Sequence, residues 1–135
     1  MGQVQYINPP ELAAHGYTNV VTVQGNVKTV YVGGQDAVNA KGEIVGIGDM
    51  AAQTRQVMDN IEIALAAGGA KLEHVIKWNV YIVQGNDFMP GYQVFQERWG
   101  NRPNPPIVTA AIVSGLARPE FLVEVDAIAV VPEES

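Results

Sequence analysis

The stretch DMAAQTRQVMDNIEIALAAGG, residues 49–69, decides the fold class of this chain of 135 residues. Its apolar side chains recur every three or four positions, which places them on one face of an α-helix. They are Met50, Val57, Met58, Ile61, Ala64 and Leu65. Asp49 is a suitable N-cap, and Gly68-Gly69 is a typical stop signal after a last helical turn. We therefore predict an amphipathic helix from Asp49 to Ala67.

Strand-like segments surround this helix on both sides. They are short runs of β-branched and aromatic residues bounded by Gly, Pro or Asn, and they cover residues 4–7, 20–25, 29–35, 74–83, 107–114 and 121–131. A second, shorter helix is predicted over residues 89–99, because Pro90 suits a first-turn position. The order β-β-β-α-β-α-β-β predicts a single α+β domain over residues 1–135. We expect one mostly antiparallel sheet with both helices on one face.

The predicted strand within NPPIVTAAIVSGL, residues 104–116, has no polar side. Its two faces carry only apolar and hydroxyl side chains, so each face needs a cover. The helices can cover one face, and a second subunit can cover the other. Only 16% of the residues are charged, against about 25% in ordinary globular domains. Both observations predict a homo-oligomer.

The composition argues against several classes of function. The net charge is −6 and the eight basic residues are scattered, whereas nucleic-acid binding uses clustered Lys and Arg. The chain has no cysteine, which excludes disulfides and thiolate chemistry. The His, Asp and Glu residues show no metal-ligand spacing, and no signal-peptide or bilayer-spanning pattern is found. We expect a cytoplasmic protein that uses no metal or cofactor and binds neither nucleic acid nor membrane.

Taken in order along the chain, several segments resemble the RidA/YjgF, or RutC-like, reactive-intermediate deaminase family. The segments are INPPEL (7–12), GYTNVVTVQGN (16–26), VYVGGQ (30–35), LAAGGAKLEHVIKWNVYIV (65–83), NDF (86–88) and VEVDAIAVV (123–131). The resemblance implies a chorismate-mutase-like fold assembled as a homotrimer with three clefts between subunits. It also implies hydrolysis of enamines and imines to a carbonyl compound and ammonia, without metal or cofactor.

The resemblance further implies roles for three residues. A tyrosine and a glycine that line the family's ligand site match Tyr17 and Gly34. The glutamate that positions the attacking water matches Glu124, which would be the catalytic residue. From the residues alone, Tyr17 is equally a packing tyrosine, and Gly34 is equally a flexible strand end.

Three further site positions depart from the family pattern. The arginine that holds the substrate carboxylate is replaced by Val108, the cysteine that often accompanies it by Ala110, and an asparagine of the second helix by Tyr92. Losing one partner of a buried arginine–carboxylate pair costs about 2–5 kcal/mol. We therefore expect a cleft for a small neutral or aromatic metabolite, with little activity on free 2-imino acids.

Some interpretations stay open at this level. Asp126 shares a strand face with Glu124 by the two-residue period, so the two carboxylates either form an acid/base pair or point into water. Arg102 and Arg118 are either replacement cations or ordinary loop residues, and His15 is either an acid/base group or a surface histidine. The alternative to an enzyme is a non-catalytic small-molecule-binding or structural trimer. The negative charge disfavours a ribonuclease or translation inhibitor.

Overall fold

A computed structural model describes residues 1–13 and 16–134. The elements follow the predicted order, with a 3₁₀ turn at Leu72–His74 before β4. They are β1 (Gln3–Ile7), β2 (Val20–Gln24), β3 (Val27–Gln35), α1 (Met50–Ala67), β4 (Val75–Val83), α2 (Met89–Trp99), β5 (Ile107–Val113) and β6 (Val123–Pro132). The predicted α+β class is confirmed. None of the helices in the described ranges has the length and apolar character needed to cross a membrane.

The strands form two ladders. β1 and β2 pair antiparallel with each other, while the other four strands form a sheet in the order β3-β6-β4-β5. In that sheet β6 is antiparallel to β3 and β4, and β4 is parallel to β5. The parallel pair arises because α2 carries the chain back to the start of the sheet before β5 begins.

The separate β1-β2 ladder refines the expectation of one sheet. Gly25 has a φ of 79° directly after β2, in the left-handed region that glycine tolerates. The next residue, Asn26, accepts a hydrogen bond on its carbonyl oxygen from Glu133 N (2.9 Å). The chain therefore leaves the β1-β2 ladder at Gly25 and begins β3 along β6.

Local signals set the ends of α1. Asp49 accepts a hydrogen bond from Ala52 N through its side chain (3.1 Å), and Gly68 is the C-cap. Both helices pack on one face of the four-stranded sheet. The core between α1 and the sheet is apolar where Val57, Ile61 and Leu65 pack against β6. The ring of Phe95 from α2 meets Trp78 of β4 edge-on, with centroids 5.3 Å apart.

The strand register separates the sheet into two faces. Val108 is paired with Trp78, which is paired with the core residue Ala127, so these three lie on the face covered by the helices. We call this the helix face. Glu124 is paired with Tyr81 and therefore lies on the opposite face, which we call the open face.

Candidate functional site

Glu124 and Gly34 are in direct contact on the open face. The ladder between β3 and β6 is interrupted between Val32 and Gln35, and Gly34 lies inside that irregularity. A Cβ added at Gly34 would lie 2.6 Å from Glu124 Oε2, closer than van der Waals contact allows. The half-buried Glu124 carboxyl group therefore rests against the backbone of β3 because residue 34 has no side chain.

Asp36 joins this pair and was not predicted from the sequence. Burial, and after it the neighbouring Glu124 carboxyl group, which lies within hydrogen-bonding reach and is negatively charged, together raise the pKa of Asp36 to about 7. The Asp36 backbone is fixed from α1, because Asn60 Nδ2 donates to the carbonyl oxygen of Asp36 (3.1 Å) and to that of Val38 (2.9 Å). The sequence signal was an acid directly after GGQ at a strand end. Its contact with β6 depends on the local bulge.

Asp126 has a different partner. Its Oδ1 accepts a hydrogen bond of 2.8 Å from Asn79 Nδ2 on β4. The two-residue period correctly places Asp126 on the same face as Glu124. The carboxyl group that pairs with Glu124, however, is that of Asp36.

A partly open cavity of about 590 Å³ lies on the helix face. The predicted ligand contacts Tyr92, Val108 and Ala110 line it. Val108 and Tyr92 are 44% and 45% exposed, so both are accessible to a ligand. Most of the remaining wall is aromatic or aliphatic, including Trp78, Phe88, Phe95, Trp99, Met50 and Ile112. Such a wall suits an apolar or aromatic molecule.

Tyr17 belongs to the segment beside this cavity. Its hydroxyl donates to the carbonyl oxygen of Ala13 (3.4 Å), and its neighbour Gly16 lines the cavity. Thr18 N donates to the carbonyl oxygen of Pro106 (3.3 Å), which holds this segment against the start of β5. His15, considered as an acid/base group, lies outside the described residues.

The predicted site residues thus form two groups. Gly34 and Glu124 lie on the open face, whereas Tyr92, Val108 and Ala110 lie around the cavity on the helix face. β4 stands between β6 and β5 in the sheet. One copy of the chain therefore does not bring Glu124 to Val108, and their joint role at a ligand remains a prediction.

The two candidate arginines are not part of the cavity wall that the described residues form. The Arg102 guanidinium donates through Nη1 to the carbonyl oxygens of Arg98 (3.0 Å) and Trp99 (2.9 Å), so it binds the C-terminal end of α2. Arg118 lies in the turn before β6, where its carbonyl oxygen accepts from Phe121 N (3.1 Å). Within residues 1–13 and 16–134, no group of three or more His, Asp and Glu side chains could hold a metal ion.

Comparison with known proteins identifies the family. The sequence model of the family described as Endoribonuclease L-PSP matches residues 8–131, nearly the whole chain. The chain is also 41% identical over 101 residues to a RutC family protein of Pyrococcus horikoshii, covering 74% of this chain and 77% of that protein. The chain belongs to the RidA/YjgF family.

Two further comparisons place the chain within the RidA/YjgF family. The crystal structure of the Rid family protein YyfB from Yersinia pestis has 30% identity and a TM-score of 0.82, covering 95% of this chain and 98% of that chain. The 3-aminoacrylate deaminase RutC of Acinetobacter baylyi is 29% identical over 100 residues, covering 74% of this chain and 77% of that protein. The resemblance noted from the sequence motifs is thereby confirmed.

Proposed function

We propose that this RidA/YjgF protein hydrolyses a neutral apolar or aromatic enamine or imine to a carbonyl compound and ammonia. The observation that carries the proposal is the Glu124 carboxyl group held against Gly34 on the open face. A half-buried carboxylate beside an accessible backbone can hold a water molecule and accept its proton. The relative named as a 3-aminoacrylate deaminase supports the reaction class.

The cavity supports the substrate class. A substrate carboxylate would need a cation to replace its lost hydration. Val108 occupies the position of the family arginine in the cavity wall. Arg102 does not replace that arginine, because its guanidinium group donates a hydrogen bond to a carbonyl oxygen at the C-terminal end of α2. The aromatic side chains around Val108 instead favour an uncharged substrate with a flat or branched apolar group.

The proposed site is shared between copies of the chain. Glu124 and the cavity lie on opposite faces of one subunit, so a substrate that touches both must sit between two subunits. A closed cyclic assembly provides one such cleft for each pair of neighbours. We infer a homotrimer, as the family resemblance implies. In this trimer the open face of the sheet of each subunit would contact the neighbouring subunit.

The proposal is tested with two N–H imines that an added oxidase generates in situ, one from an arylalkyl amine that lacks a carboxylate and one, 2-iminopropionate, from alanine. The wild-type protein should accelerate ammonia release from the aromatic imine and have little effect on 2-iminopropionate. Glu124→Gln should lower the first rate by roughly 100-fold or more, because it removes the proton acceptor. Val108→Arg should raise the rate on 2-iminopropionate, because it restores a cation for the carboxylate.

Asp126→Asn is the matched control, since it neutralises a carboxyl group on the same strand face that hydrogen-bonds to Asn79. Its rate on the aromatic imine should remain near that of the wild-type protein. Equal rates for the wild type and Glu124→Gln would refute the proposed base. Saturable binding of the aromatic compound with no ammonia release by any variant would instead identify a non-catalytic binding protein.

A further inference from the structure

The side chain of Asp36 has an unmet hydrogen-bonding requirement. Its Oδ1 is buried and has no hydrogen-bond donor among the described residues. A buried acceptor without a donor costs free energy, and a second carboxylate nearby adds repulsion. The Glu124 carboxyl group is within hydrogen-bonding reach of Asp36. A proton held between the two carboxyl groups would give the Asp36 side chain a hydrogen bond and remove the repulsion.

The groups around the two carboxyls do not offer another solution. From β4, Tyr81 is paired with Glu124, and from β6, Asp126 hydrogen-bonds to Asn79. From β3, Gln35 donates its side-chain amide to the carbonyl oxygen of Gly33 (3.2 Å). Across the described ranges, no Lys, Arg or His side chain forms an ion pair with Asp36 or Glu124.

The backbone geometry holds the two groups together. Gly34 allows the Glu124 carboxyl group to lie against β3, only two residues before Asp36. On the far side, Asn60 of α1 binds the carbonyl oxygen of Asp36, and Gln56 Nε2 in turn donates to Asn60 Oδ1 (2.9 Å). The Asp36 segment is therefore fixed at both ends, by the sheet and by the helix.

We propose that Asp36 and Glu124 share one proton and that Asp36 is the positioning residue that sets the protonation state of Glu124. The catalytic part of this inference rests on the proposed function. The shared proton itself does not, because it follows from the arrangement of the two carboxyl groups. Asp36 acts through Glu124 and need not touch the substrate.

A pair with one proton can both give and take a proton, as enamine hydrolysis requires. The pair gives its proton to the enamine carbon, forming a C–H bond and an iminium ion. Water then attacks the iminium carbon and gives a proton to the carboxyl pair, so that the substrate becomes a carbinolamine. Finally the pair protonates the leaving nitrogen and takes the hydroxyl proton as the C–N bond breaks. The products are a carbonyl compound and ammonia, and the pair regains its starting state.

A carboxyl titration by ¹³C NMR tests the shared proton without any substrate. In the wild-type protein, Asp36 should titrate near pH 7. In Glu124→Gln, the Asp36 pKa should fall from about 7 toward the ordinary carboxyl range, because the negative charge is gone and the amide can donate to Asp36. An Asp36 pKa that is unchanged in Glu124→Gln would overturn the proposal, since burial alone would then explain it.

The pH dependence of imine hydrolysis tests the catalytic role. The wild-type rate should fall as the pH rises above about 7, because the pair then loses its shared proton. Asp36→Asn should move the pH at which the rate falls to a lower value and should reduce kcat. Asp126→Asn should leave the pH profile unchanged. An unaltered pH profile in Asp36→Asn would refute the catalytic role. A coupled NMR titration in a protein without hydrolytic activity would refute the proposed function and leave the shared proton standing.

Discussion

At Gly34, the absence of a single methyl group determines where a carboxyl group can lie. Gly33 and Gly34 are neighbours in the same strand, and neither has a left-handed φ. Their surroundings differ, because a Cβ at Gly33 would have no atom within 4 Å, whereas one at Gly34 would collide with Glu124. The two glycines of GGQ are therefore not equivalent, and the family resemblance had pointed to Gly34, although the residue pattern by itself does not distinguish the two.

Gly34→Ala should abolish most of the hydrolytic activity while the chain still folds. The added methyl group meets the far end of the Glu124 side chain, which can rotate away and take its carboxyl group out of position. Gly33→Ala is the matched control and should retain the wild-type rate. The measurement is ammonia release from the aromatic imine, with thermal unfolding to verify the fold. Equal activity in the two variants would show that the position of Glu124 against β3 is unimportant.

At the scale of elements, the crossing of α1 and α2 supports the cavity. Arg98 of α2 forms ion pairs with Asp59 (2.9 Å) and Glu62 of α1. At the other end of α2, Gly91 lies against Met50 and Thr54 of α1. Because the cavity lies between these helices and the sheet, the distance between the helices affects its shape.

Gly91→Ala should destabilise the fold by about 1–3 kcal/mol, the usual cost of overpacking a core. The new Cβ would lie 2.8 Å from Thr54 Oγ1 and 3.2 Å from Met50 Cγ. Thr54 cannot yield easily, because it is buried and its hydroxyl donates to the carbonyl oxygen of Met50 (2.8 Å). Urea unfolding gives the free energy. Gln93→Ala, at an exposed position of α2, should change it little, and similar losses for both variants would contradict a close helix contact.

The elements were predictable because their signals are local. The N-cap Asp49, the glycines after residue 67 and the period of the apolar residues define α1 to within one residue. Pro90 and the aromatic stripe likewise define α2. The pairing of Asp36 with Glu124 was not predictable, because residues 36 and 124 meet only through a strand irregularity. The separation of Val108 from Glu124 likewise depends on strand order and register.

At the scale of the whole molecule, the proposed cleft needs two copies of the chain. Under the proposed function, one copy would contribute Glu124 and Gly34 from the open face, and the next would contribute Val108, Ala110 and Tyr92 from the helix face. This division has a direct consequence for mixed assemblies, because a defect in one half-site leaves the other half-site of the same chain intact.

Mixing two inactive variants should restore activity. Glu124→Gln lacks the proton acceptor, and Val108→Glu places a charge in the apolar cavity, so each should be inactive alone. After joint refolding in equal amounts, each half of a cleft comes from the variant that leaves it intact with a probability of about one half. Both halves are then intact in roughly a quarter of the clefts of a cyclic assembly, so roughly a quarter of the wild-type rate should return. The double variant Glu124→Gln/Val108→Glu mixed with either single variant is the control. No recovery in the mixture of single variants would place the whole site within one chain.

Under the proposed function, the position of β4 between Glu124 and the cavity would also affect how the rate depends on the protein concentration. If neither half of the site works alone, dilution that separates the subunits stops turnover even though every chain stays folded. The rate then rises more steeply than the first power of protein concentration until assembly is complete. For such a protein, a higher concentration of the chain raises the number of molecules and also the average rate per molecule.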